Sequence, residues 1–213
     1  MIVDERLTAY LHSLDKTEED PLPQIARAAR QEAVPIIRPE TGALLKVLIR
    51  LKNPRHILEV GTATGYSSLL MSTCLEPGAR ITTIENYPPR IRKARENIAL
   101  AGKEDVITLL EGDALKILPA LEGPFDFIFM DAAKGQYINF LPEVLRLLSP
   151  GGLLVSDNIL QEGSIIDSRF AITRRDRTIH SRMRDYLWQL KHSPQLETSL
   201  LTSGDGVALS VKL

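Results

Sequence analysis

Two periods of hydrophobicity divide this 213-residue chain. Over the first fifty residues apolar side chains recur at helical spacing, as in Tyr10, Leu11 and Leu14. Pro21 and Pro23 punctuate the chain before a second helical segment, residues 24–32. Pro39 stands where a first-turn proline is tolerated. It opens a third segment, 40–51, whose predicted apolar side is Leu44, Leu45, Val47, Leu48 and Leu51.

From residue 56 short apolar runs alternate with helical stretches. The runs are 56–60, 81–85, 106–110, 125–130 and 153–156; the helical stretches between them are 67–75, 89–101, 114–121 and 137–148. Continuous apolar strands joined by helices predict a parallel sheet covered on both faces. The end of the chain departs from this alternation. A long helix over 174–192 leads to a run at 197–202, then Ser203-Gly204-Asp205-Gly206, then a run at 207–211. Gly-Asp-Gly between strand-like runs predicts a hairpin. The predicted fold is α/β: a doubly wound, Rossmann-like sheet of five parallel strands plus a C-terminal antiparallel hairpin, with N-terminal helices. One domain is expected over 1–213, with 1–52 as a helical extension within it.

Composition narrows the class. Hydrophobic residues make up 44% and charged residues 25%, values of an ordinary globular protein. The formal net charge of −1 demands neither nucleic acid nor membrane. The single cysteine, Cys74, excludes an intrachain disulfide and a cysteine zinc cluster. Residues 1–6 carry acids where a secretory leader would be basic, and no apolar run is long enough to span a bilayer, so a cytoplasmic location is expected.

In an open parallel sheet, ligands bind outside the carboxyl ends of the strands. The residues there are Glu59, Gly61, Glu85, Asp113, Asp131, Asp157 and Asn158. An edge this acidic suits hydroxyls, an amine, a sulfonium or a metal better than a pyrophosphate. The first turn, Gly61-Thr62-Ala63-Thr64-Gly65-Tyr66-Ser67, lets backbone approach a ligand at its two glycines. Glu85, twenty residues beyond Gly65, is placed to accept hydrogen bonds from ribose hydroxyls. The dinucleotide alternative, a dehydrogenase, wants Gly-x-Gly-x-x-Gly, and this spacing does not fit. A second set, Asp131-Ala132-Ala133-Lys134 with Asp157-Asn158, joins two carboxylates and an amide oxygen. These are hard ligands of the kind Mg²⁺ or Ca²⁺ prefers. The competing reading is a hydrogen-bonded polar cluster without metal.

These residues resemble the cation-dependent class I O-methyltransferases, the family of catechol and caffeoyl-CoA O-methyltransferases and their bacterial relatives. The resemblance runs from about Val34 to the end. It rests on Gly-Thr-x-Thr-Gly-Tyr-Ser, Asp-Ala-x-Lys, Ser-Asp-Asn and Gly-Asp-Gly. It implies that Ile37, Glu59, Gly61, Ser67, Glu85, Asp113 and Asp131 line an S-adenosylmethionine pocket. It implies that Asp131, Asp157 and Asn158 hold Mg²⁺ or another divalent cation. Lys134 and Asp131 are the implied catalytic residues, with Lys134 taking a proton or steadying an oxyanion. Ala63 departs from the glycine many class I enzymes carry there.

The acceptor is less legible. Catechols offer a cation two vicinal oxygens, and so does 5-hydroxyuridine at the tRNA wobble position. Two segments, Ala-Val-Pro-Ile-Ile around Val34 and Asp-Ala-Ala-Lys-Gly-Gln-Tyr, resemble the bacterial tRNA 5-hydroxyuridine methyltransferases more closely than the plant enzymes. The segment 169–184 adds Arg169, Arg174, Arg175, Arg177, Arg182 and Arg184 as candidate phosphate contacts, and Arg38 lies near the expected pocket. Tyr137 and Phe170 are candidates to stack a base. The leading expectation is therefore tRNA as substrate, giving 5-methoxyuridine, with a small catechol as the alternative. An arginine run is also commonly a solvated helix face paired locally, here with Asp176 and Asp185. A binding module that has lost its chemistry is the rival of another class. A homodimer is expected.

Overall fold

A computed structural model of the chain describes residues 5–16 and 18–213. Residues 1–4, on which part of the leader reading falls, lie outside the described residues. Three helices come first: α1 (Glu5–Ser13), α2 (Leu22–Gln31) and α3 (Pro39–Lys52). Pro39 occupies the first turn of α3, and Asn53 ends that helix in the left-handed conformation.

The alternating part follows as β1 (His56–Val60), α4 (Tyr66–Ser72), β2 (Arg80–Glu85), α5 (Pro88–Leu100), β3 (Ile107–Glu111), α6 (Ala114–Ile117), β4 (Phe125–Met130), α7 (Tyr137–Leu147) and β5 (Leu148–Asp157). Then come α8 (Arg177–His192), β6 (Leu196–Leu201) and β7 (Val207–Lys212). One seven-stranded sheet results, in the order β3-β2-β1-β4-β5-β7-β6. Strands β1 to β5 pair in parallel, and β7 pairs antiparallel with both β5 and β6. This is the predicted architecture.

Two hydrophobic clusters sandwich the sheet. Leu58, Ile128, Leu154, Tyr137, Val144 and Tyr186 belong to one; Ile57, Phe127, Val155, Leu45, Ile49 and Leu70 belong to the other. The alternation Ile57/Leu58 and Phe127/Ile128 sends neighbours to opposite faces. Each face is apolar because helices cover both, which is why the strands read as unbroken apolar runs.

Three expectations need correction. On α3, Leu45 and Ile49 are fully buried, whereas Val47 and Leu51 are exposed. The buried stripe is narrower than the predicted one and includes Ile49. Helix α8 begins at Arg177, not 174, because Thr173 and Asp176 form a turn: Asp176 N–H donates to Thr173 O, and Thr173 Oγ1 donates to Asp176. Arg169, Arg174 and Arg175 therefore precede the helix. The stretch 114–121 is a single α-turn followed by a 3-10 turn at Leu118–Ala120. Among the described residues no helix is long and apolar enough to cross a membrane.

Candidate active site

The carboxyl ends of β1, β2, β4 and β5 open onto a cleft of about 810 Å³, within the usual size of a small-ligand site. Of the expected site residues it is lined by Ile37, Gly61, Glu85, Asp113, Asp131, Lys134, Asp157 and Asn158. Glu59 and Ser67 lie behind this wall. Glu59 is fully buried and accepts hydrogen bonds from Ser67 Oγ and Thr83 Oγ1, each at 2.5 Å, and from Ser68. Burial pushes its carboxyl up to about 7 against the pull of those hydroxyls. Glu59 and Ser67 thus brace the turn after β1 and take no place on the cleft wall.

That turn depends on Gly61. Its φ is +103°, and an added Cβ would stand 2.1 Å from the Asp131 carbonyl oxygen. Absence of a side chain lets β1 and β4 end side by side, with Asp131 N–H donating to Val60 O at 3.0 Å. Glu85 shapes its side of the wall: one oxygen accepts from Ala63 N–H at 2.9 Å, the other from Asn86 and Tyr87 N–H at 3.0 Å. Asp113 caps α6 through Leu115 N–H, 3.0 Å.

Asp131, Asp157 and Asn158 come together as expected. Asn158 Nδ2 donates to Asp131 Oδ1 at 3.1 Å, and Asn158 N–H donates to Asp157 Oδ1 at 2.8 Å. Asn158 sits at φ 58°, a strained conformation that asparagine tolerates better than most residues and that recurs at functional sites. Thr41, at the start of α3, reaches Asp157 Oδ1 at 3.4 Å. Burial raises the Asp131 carboxyl above its usual range. It pushes Asp157 up to about 7, with the Asp131 charge as the next cause.

Two carboxylates crowded in a buried corner would ionise together more readily beside a bound cation. The amide donating through Nδ2 leaves its oxygen as a third hard donor. The set therefore fits Mg²⁺ or a similar ion. Among the described residues no group of three His, Cys, Asp or Glu offers an alternative metal site.

Lys134 opens a 3-10 turn, Lys134–Gln136. Its Nζ donates to Asp205 Oδ2 at 3.2 Å. Asp205 is 3% exposed and also accepts from Glu162 N–H. Asp205 holds Lys134 against the cleft, a role that the hairpin motif in the sequence does not announce. The signal was an acid between two glycines, each at positive φ, which leaves its side chain free of the strand ladder. Arg182 was also missed in this role: its guanidinium donates to Gly135 O at 3.1 Å and ties α8 to the lysine turn.

Tyr137 is another correction. It is fully buried, and its hydroxyl donates toward the carbonyls of Met130 and Asp157, 3.1 Å each. It fixes the ends of β4 and β5 and has no face free to stack a base. Phe170 is 87% exposed and is absent from the cleft wall.

Residues 12–213 match the O-methyltransferase family. The chain is 35% identical over 169 residues to the catechol O-methyltransferase of Niastella koreensis, covering 76% of each. A Staphylococcus aureus protein provisionally assigned as a caffeoyl-CoA O-methyltransferase superposes with a TM-score of 0.91 at 32% identity, over 98% of this chain and 100% of that one. The O-methyltransferase from Bacillus cereus, solved with S-adenosylhomocysteine, superposes with a TM-score of 0.87 at 26% identity, over 98% and 97%. A match over nearly the whole chain, agreeing in sequence and in fold, places this protein in the family of S-adenosylmethionine-dependent O-methyltransferases.

Proposed function

We propose that the protein transfers the methyl group of S-adenosylmethionine to one hydroxyl of a small acceptor carrying vicinal oxygens, as in a catechol, with help from a divalent cation. The observation that carries this reading is the meeting of Asp131, Asp157, Asn158 and Lys134 in one cleft. The catechol activity named for the Niastella relative supports the acceptor class.

Ile37, Gly61, Glu85 and Asp113 form the part of the wall assigned to the methyl donor. Asp131, Asp157 and the Asn158 amide oxygen are assigned to the cation. A divalent cation held by these residues would supply positive charge that favours the ionised form of an acceptor hydroxyl near neutral pH. Lys134 is placed to receive the hydroxyl proton or to steady the oxyanion, and Asp205 fixes where its nitrogen sits. The acceptor oxygen then bonds the methyl carbon as the carbon–sulfur bond breaks, leaving S-adenosylhomocysteine. Alignment of the two reactants supplies much of the acceleration.

The test is transfer of labelled methyl from S-adenosylmethionine to a catechol with Mg²⁺. Activity abolished by EDTA and restored by Mg²⁺ is expected. Transfer indifferent to EDTA would remove the cation from the mechanism.

The second reading, methylation of tRNA 5-hydroxyuridine, draws on one observation: Arg169, Arg174 and Arg175 are exposed. The relatives above do not support it. Hypomethylated tRNA in a parallel reaction decides, since transfer to tRNA and not to catechol would reverse the assignment. A homodimer is proposed from the exposed apolar residues Tyr10, Leu14, Val47 and Leu51. Sedimentation as a monomer at micromolar concentration would overturn it.

A further inference from the structure

The buried stripe of α3 falls on every fourth residue: Thr41, Leu45 and Ile49. Leu45 and Ile49 belong to the core on that face of the sheet. The residue that heads the stripe, in the first turn of the helix, carries a hydroxyl instead, at 1% exposure. Burying a hydroxyl is costly unless it finds a hydrogen bond. Among the described residues the Thr41 hydroxyl has one partner, Asp157 Oδ1 at 3.4 Å. The closing hairpin backs it from another side, since a Cβ on Gly204 would stand 3.0 Å from Thr41 Oγ1. The hydroxyl is thus enclosed between the hairpin and the carboxylate.

Its effect on Asp157 follows from the lone pairs. A carboxylate oxygen accepts at about two sites. Asp157 Oδ1 accepts from Asn158 N–H at 2.8 Å, and Thr41 takes the remaining site. No hydrogen bond from the described residues reaches Asp157 Oδ2. That atom is not among the buried polar atoms left without a partner, so it opens to the cleft. Asp131 divides its oxygens in the same way: Oδ1 accepts from Asn158 Nδ2 at 3.1 Å, and Oδ2 is open. Each aspartate therefore presents one oxygen to the cleft, and the Asn158 amide adds a third. Single-oxygen donors suit Mg²⁺, which demands an octahedral shell at about 2.0–2.1 Å and keeps several waters. Ca²⁺ takes about six to eight oxygens and commonly uses both oxygens of a carboxylate.

We propose that Thr41 is a positioning residue for the cation: by filling the last acceptor site of Asp157 Oδ1 it keeps that carboxylate a single-oxygen ligand, and so disfavours cations that take both oxygens. This role rests on the reading that Asp131, Asp157 and Asn158 hold a cation, and it names the residue that sets how Asp157 binds.

The experiment titrates the protein with Mn²⁺ in the presence of S-adenosylhomocysteine and follows free Mn²⁺ by its paramagnetic resonance. Mg²⁺ and Ca²⁺ are then added as competitors. Thr41→Val keeps the shape and removes the hydroxyl; Thr41→Ser keeps the hydroxyl. The wild type should release Mn²⁺ to Mg²⁺ at lower concentration than to Ca²⁺. Thr41→Val should lower the ratio of Ca²⁺ to Mg²⁺ dissociation constants by about tenfold, as loss of an orienting partner at a metal site does. Thr41→Ser should restore most of the ratio. A packing defect alone would weaken all three cations together, so an unchanged ratio in Thr41→Val overturns the role of Thr41, as does a serine variant that behaves like the valine one. Either result leaves the cation corner standing. Absence of Mn²⁺ binding by the wild type removes the corner itself and the role of Thr41 with it. Should Thr41→Val fail to fold, Thr41→Ala supplies the same comparison.

Discussion

The carboxyl edge of β4 and β5 and the segment leading into α8 both concentrate charge, and the structure treats them in opposite ways. At the edge, Asp157 is 2% exposed, bonded by its own neighbour Asn158 and reached by Thr41 from α3, while Tyr137 clamps its carbonyl. Before α8, Arg175 has a side chain 93% exposed and pairs only with the adjacent Asp176, at 3.4 Å. Thr173 and then Arg175 hold the Asp176 carboxyl below its usual range, but an exposed neighbouring pair of this kind contributes little to stability. Charge marks a site where several elements converge on it and exclude water. Of the arginine group, the half-buried Arg182 comes nearest to the cleft, tying α8 to the lysine turn through Gly135 O.

Four variants test that contrast. Asp157→Ala should have the largest effect, a fall in kcat/KM of roughly a thousandfold, since the cation proposed for this carboxylate would supply several kcal/mol of charge stabilisation. Steady-state kinetics at saturating Mg²⁺ measure it, and a loss under tenfold would make the carboxylate cluster merely structural.

Asp205→Asn should lower kcat/KM by about 10- to 100-fold through misplacement of Lys134, as loss of an orienting partner commonly does. Unchanged kinetics would show that the Lys134 contact has no catalytic consequence.

Glu59→Gln tests the buried acid. The ordinary glutamate value of 4.5 is raised to about 7 in the fold, so the folded state prefers the protonated form. Below about pH 4.5 both folded and unfolded chains are protonated, and the fold suffers no penalty. Between about 4.5 and 7 the unfolded chain ionises first and stability falls; above 7 the loss is complete, on the order of 3 kcal/mol at most. Urea denaturation at about pH 5 and pH 8 should show the glutamine variant gaining on the wild type at the higher pH. Parallel pH dependence in the two proteins would contradict the assignment.

The smallest effect belongs to the paired change Arg174→Ala and Arg175→Ala. Stability should move by less than about 0.5 kcal/mol, and activity on a catechol by less than about twofold. A large selective loss on tRNA would restore a role for this segment.

The five parallel strands and the closing hairpin were legible because parallel strands covered on both faces leave long apolar runs, and because Gly204-Asp205-Gly206 has few uses other than a turn. The acidic residues were legible as a set because each ends a strand. Their depth was not. Glu59 and Glu85 look alike in sequence, each at a strand end, yet Glu59 is sealed under three hydroxyls while Glu85 faces the cleft. Ser67, Ser68 and Thr83 decide this, and their meeting is a property of packing. Helix α3 misled for a related reason. Apolar residues lie around most of its circumference, so periodicity does not say whether Val47 or Ile49 faces the sheet. Asp205 and Lys134, 71 residues apart, carry no local sign that they touch.

The contact of Gly61 with the end of β4, and that of Thr41 with Asp157 across 116 positions, have a kinetic consequence. No short stretch of chain holds a working fragment of this centre, because its parts meet only when β1, β4, β5 and the closing hairpin are all in register. Such long-range topology folds slowly compared with local helices. On refolding from denaturant, helical signal should therefore return ahead of methyl transfer, and turnover should reappear with the last phase of sheet assembly. The enzyme's own reaction thus serves as a clock for completion of its fold.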